Sequence, residues 1–204
     1  MKKIIFAFVI ALLITVVSVR AQDDPVRAAF STSYALEKNA DYIDAIAQLK
    51  KVYDEKSYEI NLRLGWLDYE AGFYLESMSY YQKAINLMPF AIEPRFGFVL
   101  PATAVGDMDK VEAQYNKILE VDPQNAIANY NLGLIAFNRK DYKTASNYFS
   151  IVVNLYPFDY YSLLKLALTD LQLGNYSKSK ILFNKVLLYA PTDTSALNGL
   201  SYIK

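Results

Sequence analysis

The apolar residues of this chain recur with helical spacing in segments that short turns separate. In the segment that begins at Tyr58, for example, Leu62, Trp66 and Tyr69 follow one another at i, i+4 and i+7. Such segments end at residues that interrupt helices, either a glycine that can adopt the left-handed conformation or a proline that cannot continue a helix. The pattern therefore predicts an all-α protein made of helical hairpins.

Turn and core residues return at a fixed interval of 34 residues. This interval separates the members of two sets, namely Pro89, Pro123, Pro157 and Pro191, and Tyr81, Tyr115, Phe149 and Phe183. The glycines expected to end the first helix of a hairpin keep the same phase at Gly72, Gly106 and Gly174, and Lys140 takes the glycine position once. A constant period of this length is the signature of a repeat architecture.

Asp and Asn residues beside the turns predict where helices begin, because their side chains accept hydrogen bonds from the first free backbone N–H groups. We expect the second helix of each hairpin to be capped by Asp107, Asp141 or Asn175. The first helix of the following hairpin is expected to be capped by Asn125, Asp159 or Asp193.

One unit shows the repeat in full, with Asn129, Leu132, Gly133, Ala136, Ala145, Phe149 and Pro157 in fixed order and spacing. This arrangement resembles the tetratricopeptide repeat pattern. The unit two repeats earlier has Asn61, Leu64, Gly65, Ser77, Tyr81, Ala84 and Pro89 in these or neighbouring positions of the pattern. The resemblance covers nearly the whole chain after residue 21. It implies a right-handed superhelical α-solenoid whose concave groove binds peptides or partner helices.

Extending the period in both directions divides residues 22–204 into one solenoid domain. We expect five hairpins at approximately 25–57, 58–91, 92–125, 126–159 and 160–193, and a capping helix at 194–204. Ser57 is interpreted as the residue in the proline position of the first hairpin, whose join to the next unit is about two residues short. Such irregularity is typical of a terminal repeat.

The first helix of each unit carries more apolar residues than packing on its own partner helix requires. The surplus forms a second stripe, which the resemblance places on the concave groove. The candidate groove residues are Leu62, Trp66, Tyr69, Phe96, Leu100, Tyr130, Leu134, Phe137, Tyr161 and Leu164. For Leu100, Leu134 and Leu168, packing between neighbouring first helices is an equally good explanation.

Some members of the family bind a C-terminal carboxylate with Lys and Asn side chains along the groove. This chain has Leu62 and Trp66 where the first Lys and Asn of that arrangement would stand. We therefore expect the ligand to be an apolar or amphipathic segment of a protein or peptide rather than a charged tail.

The charge balance excludes some classes of partner. The chain has 21 basic and 21 acidic residues, and removal of residues 1–21 leaves 18 basic against 21 acidic, a net charge of −3. The Lys and Arg residues do not form a cluster in the sequence. Nucleic acid is therefore not an expected partner, because its recognition needs clustered positive charge.

The residue types needed for many kinds of catalysis are missing. The chain has no histidine and no cysteine, which removes imidazole bases, thiolate nucleophiles and the metal sites that depend on either residue. We expect no enzyme activity, no cofactor and no metal. Carboxylate pairs such as Asp107 with Asp109, or Asp41 with Asp44, leave one alternative open, a hydrolase of envelope glycans.

The first residues have the three parts of a secretory signal peptide. Lys2 and Lys3 precede an apolar run at 4–17, and Val19, Arg20 and Ala21 supply the cleavage region. We expect cleavage after Ala21, because the apolar run is shorter than the roughly 20 residues of a spanning helix. An uncleaved anchor is the alternative.

Cleavage would leave an exported protein without an integral membrane segment, most simply in the periplasm, although secretion is also open. The expected function is that of a protein-interaction scaffold. A permanent assembly subunit of a cell-envelope complex, whose groove a neighbour fills, is the second interpretation of the same features.

Overall fold

The computed structural model describes residues 24–203, and the regular structure in that range is helical throughout. Within it the helices are α1 (Pro25–Glu37), α2 (Tyr42–Lys50), α3 (Tyr58–Glu70), α4 (Tyr74–Leu87), α5 (Glu93–Ala104), α6 (Met108–Val121), α7 (Ala126–Asn138), α8 (Tyr142–Leu155), α9 (Tyr160–Gln172), α10 (Tyr176–Tyr189) and α11 (Thr194–Tyr202). They form five hairpins and a final helix, which confirms the all-α solenoid. The expected signal segment, residues 1–21, lies outside the described residues.

The hairpins repeat with the phase that the prolines indicate. Each second helix from α4 to α10 has 14 residues and ends two residues before its proline. Within a hairpin the two helices pack on each other, and each second helix also packs on the first helix of the next hairpin. The first hairpin departs from this regularity, because α2 has only 9 residues. The shortening expected between the first hairpin and the second is thus located in α2.

The turns inside the hairpins use the left-handed backbone conformation. Gly72, Gly106 and Gly174 have φ of 82°, 77° and 74°, and Lys140 has φ of 63° in the equivalent position. These four assignments confirm the turn prediction. Ala40 adopts the same conformation in the first hairpin, with φ of 60°, although it lacks the freedom of glycine.

Most of the expected helix caps are present. The side chains of Asn125, Asp159 and Asp193 accept hydrogen bonds at the starts of α7, α9 and α11. Asp107 and Asp141 do the same for α6 and α8. The prediction is wrong for Asn175, whose side chain makes no such bond at the start of α10. Its amide instead donates to Oδ1 of the buried Asp170, at 3.0 Å.

The assignment of Ser57 to the proline position is also wrong. Ser57 is the N-cap of α3, where its hydroxyl accepts a hydrogen bond from the N–H of Ile60 at 3.2 Å. The residue in phase with Pro89 is Glu55. Its carbonyl accepts a hydrogen bond from the Asn61 side chain at 2.9 Å, as that of Pro89 does from Arg95. The hydrogen bond that this backbone carbonyl accepts therefore identifies the position more reliably than the residue type does.

Aromatic rings from the second helices fill the space beside glycines of the first helices. A Cβ atom on Gly97 would lie 2.2 Å from Cε1 of Tyr81, and one on Gly133 would lie 2.6 Å from Cε1 of Phe149. Both rings are buried. Close approach of helices at these glycines builds the apolar core and leaves the groove-facing side of the first helices available.

Candidate binding groove

First helices from four successive hairpins line a cavity of about 700 Å³, which we call the large cavity. Its lining residues are Phe30, Tyr34, Glu59, Leu62, Arg63, Trp66, Tyr81, Glu93, Phe96, Gly97, Val99, Leu100, Tyr115 and Ile127. Four of the ten candidate groove residues are therefore gathered here. The cavity is open to solvent and largely apolar, as expected of a site that accepts side chains of a ligand.

The four candidates occupy two repeat positions. Leu62 and Phe96 are equivalent residues of α3 and α5, and so are Trp66 and Leu100. Leu62, Trp66 and Phe96 are half-buried because they also pack against the central core, whereas Leu100 is 38% exposed. Packing thus fixes part of the Leu62, Trp66 and Phe96 side chains, and the rest of each faces the cavity.

A polar cluster fixes one wall of the large cavity. Arg63 is only 8% exposed, and its Nη2 donates to Oε2 of Glu37 at 2.7 Å. Its Nε donates to the Ser33 hydroxyl at 3.3 Å, and its guanidinium lies 3.9 Å from the centre of the Tyr34 ring. The Trp66 indole N–H donates to Oε1 of the same Glu37 at 2.5 Å. Both oxygens of one carboxylate therefore join α1 to α3.

This cluster holds Glu37 in its charged form. The hydrogen bond from Arg63 lowers the pKa of Glu37, and burial opposes that shift only in part. Because the carboxylate remains ionised, it stays an acceptor for the Trp66 indole. The indole ring is consequently held in one orientation at the cavity wall before any ligand arrives.

Two exposed carboxylates border the large cavity. The Glu59 carboxylate accepts a hydrogen bond from the Ser57 hydroxyl at 3.1 Å, and that of Glu93 accepts one from the Tyr58 hydroxyl at 3.2 Å. Burial, together with the charge of Glu93, raises the pKa of Tyr58 to about 12, so the phenol remains a donor at neutral pH. Neither glutamate forms an ion pair within residues 24–203.

A smaller cavity of about 400 Å³ continues the groove toward the C-terminus. Among its lining residues are the candidates Tyr130 and Tyr161, together with Tyr156 and Asp159. Ile127 lines both cavities and joins them. The groove is therefore one surface with two depressions.

The remaining four candidates, Tyr69, Leu134, Phe137 and Leu164, line neither cavity. Tyr69 lies between Trp66 and Tyr74 in tilted contact with both rings, whose centres are 6.0 and 5.9 Å away. Leu134, Phe137 and Leu164 are half-buried against the C-terminal core. For Leu134 the packing alternative thus describes its position, as it does for Leu168, whereas Leu100 faces the large cavity.

Sequence reasoning missed several cavity residues. Ile127 lies one repeat before Tyr161, so the 34-residue phase could have identified it. Phe30 and Tyr34 come from α1, whose pattern is degenerate, and no periodic signal marks them. Arg63 was missed because a charged residue does not belong to an apolar stripe, yet its pairing with Glu37 shapes the cavity wall.

The carboxylates considered for hydrolysis cap a helix or lie at the surface, where Asp109 is 3.9 Å from the Arg139 guanidinium. Asp107 caps α6, and hydrogen bonds from Lys110 lower its pKa. Asp109 and Asp44 are exposed. In the described part of the chain, no three His, Cys, Asp or Glu side chains cluster so that they could hold a metal ion. Between residues 24 and 203, none of the helices has the length and apolarity needed to cross a bilayer.

Comparison with known proteins agrees with this architecture. Two sequence profiles, both described as tetratricopeptide repeat, match residues 114–145 and 160–193. The RNA polymerase-associated protein CTR9 of Caenorhabditis elegans is 29% identical over 93 residues, which are 45% of this chain and 8% of that protein. The chain therefore spans less than a tenth of the length of this curated relative.

Solved structures show the same fold. A tetratricopeptide repeat protein from Parabacteroides merdae superposes with a TM-score of 0.73 at 22% identity, over 86% of this chain and 70% of that one. MamA from Desulfovibrio magneticus superposes with a TM-score of 0.68 at 16% identity, over 84% of this chain and 98% of that one. Hairpin phase, profile matches and fold lead to one conclusion: the chain is a tetratricopeptide repeat protein.

Proposed function

We propose that this protein is an exported interaction scaffold that binds an apolar or amphipathic segment of a partner protein in the large cavity. Repeats of this family support protein–protein interaction, and the cavity supplies the specific surface. The observation that carries the proposal is the wall formed by Leu62, Trp66, Phe96 and Leu100. A concave, largely apolar cavity of this volume is typical of a ligand-binding site.

Binding would proceed by transfer of a partner's apolar side chains from water into the cavity. The Trp66 ring is oriented in advance by its bond to Glu37, so little side-chain entropy would be lost when a ligand packs on it. Rigid aromatic residues at the centre of an interface often account for roughly 2 kcal/mol or more each. Trp66 is therefore the proposed anchor of the site.

Export forms part of the proposal and is supported by the sequence of residues 1–21. Fractionation of cells followed by N-terminal sequencing of the recovered protein tests it. A chain that begins at Gln22 in the periplasm or medium is the expected result. An intact Met1 terminus in the cytoplasm would contradict export and leave the groove proposal unaffected.

The groove is tested by affinity recovery of partners from the protein's own cells with a single-site variant. Leu100→Asp places a charge in the cavity at a position that is already 38% exposed, so the fold should be retained. The matched control is Leu75→Asp on α4, which is 68% exposed and lies outside both cavities.

The proposal predicts that a partner recovered by the parent and by Leu75→Asp is lost with Leu100→Asp. Circular dichroism and thermal unfolding of all three proteins would show that the loss is local. Equal recovery by both variants would refute the groove as the binding surface. A partner that remains at fixed stoichiometry through every purification step would indicate a permanent complex.

A further inference from the structure

One repeat position changes its chemistry along the groove. Glu59, Glu93, Ile127 and Tyr161 are equivalent residues, each 34 positions after the one before, and all four line the cavities. The first two are exposed carboxylates, whereas Ile127 and Tyr161 are 57% and 65% exposed apolar or aromatic side chains. The edge of the groove is thus acidic at its N-terminal end and apolar at its C-terminal end.

The negative charge at the acidic end is not compensated by the surrounding groove. Arg63 is the basic residue of the large cavity, and its guanidinium is already paired with Glu37. The hydroxyl groups that donate to Glu59 and Glu93 are neutral. Asp159 also borders the smaller cavity, but its carboxylate caps α9 by accepting the Ser162 N–H at 2.8 Å.

We infer that the groove selects a segment with an uneven charge distribution, in which Lys or Arg side chains lie over Glu59 and Glu93 and apolar side chains reach toward Ile127 and Tyr161. This inference rests on the proposed function and specifies the ligand of the same site. Complementary charge at the border of an interface contributes to orientation and to the rate of association more than to affinity. The carboxylates would therefore fix the direction in which the segment lies.

The dimensions of the groove set the length of such a segment. Packed helices lie about 8–10 Å apart, so three steps from Glu59 to Tyr161 span roughly 24–30 Å. This distance corresponds to about 7–9 residues of an extended chain or about 16–20 residues of an α-helix. Synthetic peptides of about 18 residues are long enough in either conformation.

The test uses four peptides without tryptophan. The first has lysines at its N-terminal end and leucine and phenylalanine in the remainder, and the second has the reverse order. The third distributes the same residues evenly, and the fourth replaces by glutamates the terminal lysines of whichever of the first two binds the parent more tightly. Trp66 is the single tryptophan of the protein, so its fluorescence reports occupation of the large cavity directly.

The protein variant for this test is Glu59→Lys with Glu93→Lys, which reverses two exposed charges. Glu55→Lys with Glu76→Lys makes the same change of net charge outside the groove, where both residues are also exposed. One of the two segregated peptides should bind the parent about 3- to 10-fold more tightly than the evenly distributed peptide. The groove variant should lose this preference and gain affinity for the glutamate-ended peptide, and the control pair should not.

Equal binding of all peptides to the parent and to both variants would overturn the inference while leaving the apolar groove as a binding site. Failure of every peptide to change the Trp66 signal would count against both the inference and the proposed site. Exchange of preference in the groove variant alone would establish directional charge selection.

Discussion

The two halves of the groove show how one repeating backbone yields an open site in one place and a packed surface in another. In the N-terminal half, Leu62, Trp66, Phe96 and Leu100 surround a cavity of about 700 Å³. Of the equivalent residues in the C-terminal half, Tyr130 lines the smaller cavity, whereas Leu134, Leu164 and Leu168 line neither cavity and pack against the neighbouring core. Identical repeat positions therefore do not carry identical roles.

The difference arises from residues outside the repeat pattern. At the N-terminal end, the Glu37 carboxylate holds Arg63 and Trp66 and keeps the wall of the cavity in place. At the C-terminal end, Lys165 takes the position of Arg63, and its ammonium lies 5.5 Å from the centre of the Phe137 ring. Substitutions in each half can therefore distinguish residues that stabilise the core from residues that form the cavity.

The largest effect is expected from the rings that build the core beneath both halves. Phe149→Ala removes a fully buried ring and should lower the free energy of unfolding by roughly 3–5 kcal/mol. Tyr81→Ala, at the equivalent position two repeats earlier, should have a similar effect and should also enlarge the large cavity. Chemical denaturation measures both changes. A loss below about 1 kcal/mol for either variant would show that its ring does not support the core.

A smaller effect is expected from breaking the polar cluster. Arg63→Met keeps most of the side-chain volume but leaves Glu37 with the Trp66 indole alone, so we expect a loss of roughly 2–3 kcal/mol. Arg139→Met removes an exposed ion pair with Glu112 and should cost less than about 1 kcal/mol. Equal losses in the two variants would contradict a structural role for the cluster. The Trp66 emission spectrum should change only in Arg63→Met.

A pH-dependent effect is expected at Asp68, whose Oδ2 is buried without a hydrogen-bond partner. Burial raises the pKa of Asp68 to about 6. Below the pKa of the unfolded state, near 3.8, the carboxyl is neutral in both states and the fold keeps its full stability. This stability is lost as the pH rises through about 6 and the buried carboxyl ionises. Asp68→Asn should therefore gain about 1–3 kcal/mol of stability relative to the parent at pH 8 and little at pH 4.

The control for this measurement is Asp170→Asn, in the same repeat position three hairpins later. Asp170 already accepts a hydrogen bond from Asn175, whereas Asp68 has Phe73 in the place of that asparagine. Denaturant unfolding at several pH values compares the two variants. A gain for Asp170→Asn as large as that for Asp68→Asn would contradict this explanation.

The smallest effect is expected in the C-terminal half of the groove. Lys165→Met removes the cation above the Phe137 ring and should cost about 0.5–1 kcal/mol. Because Phe137 lines neither cavity, the substitution should leave partner recovery unchanged. Loss of the partner with normal stability would instead show that the surface around Phe137 takes part in binding.

The sequence predicts the backbone well because the residues that shape it are few and regular. Glycine and proline restrict or permit backbone angles locally, so Gly72 and Pro89 mark turns without reference to the rest of the chain. The first hairpin is less predictable, since Ala40 adopts a glycine-like conformation that its side chain disfavours.

The site is less predictable because it depends on pairs of residues that are distant in sequence. The apolar stripe includes Leu62 and Phe96, which line one cavity, but it also includes Phe137, which packs elsewhere. The contact of Glu37 with Arg63 joins residues 26 positions apart and has no counterpart in later repeats. Such a pair becomes visible only when the helices are placed side by side.

The most direct test of the large cavity as the binding site is acrylamide quenching of Trp66 fluorescence during titration with the recovered partner. Because Trp66 is the single tryptophan and lines the cavity, a partner without tryptophan, or one with tryptophan replaced, leaves its signal unmixed. We expect quenching to fall as the partner saturates the protein. Saturated binding with unchanged quenching would show that the partner does not occupy the large cavity.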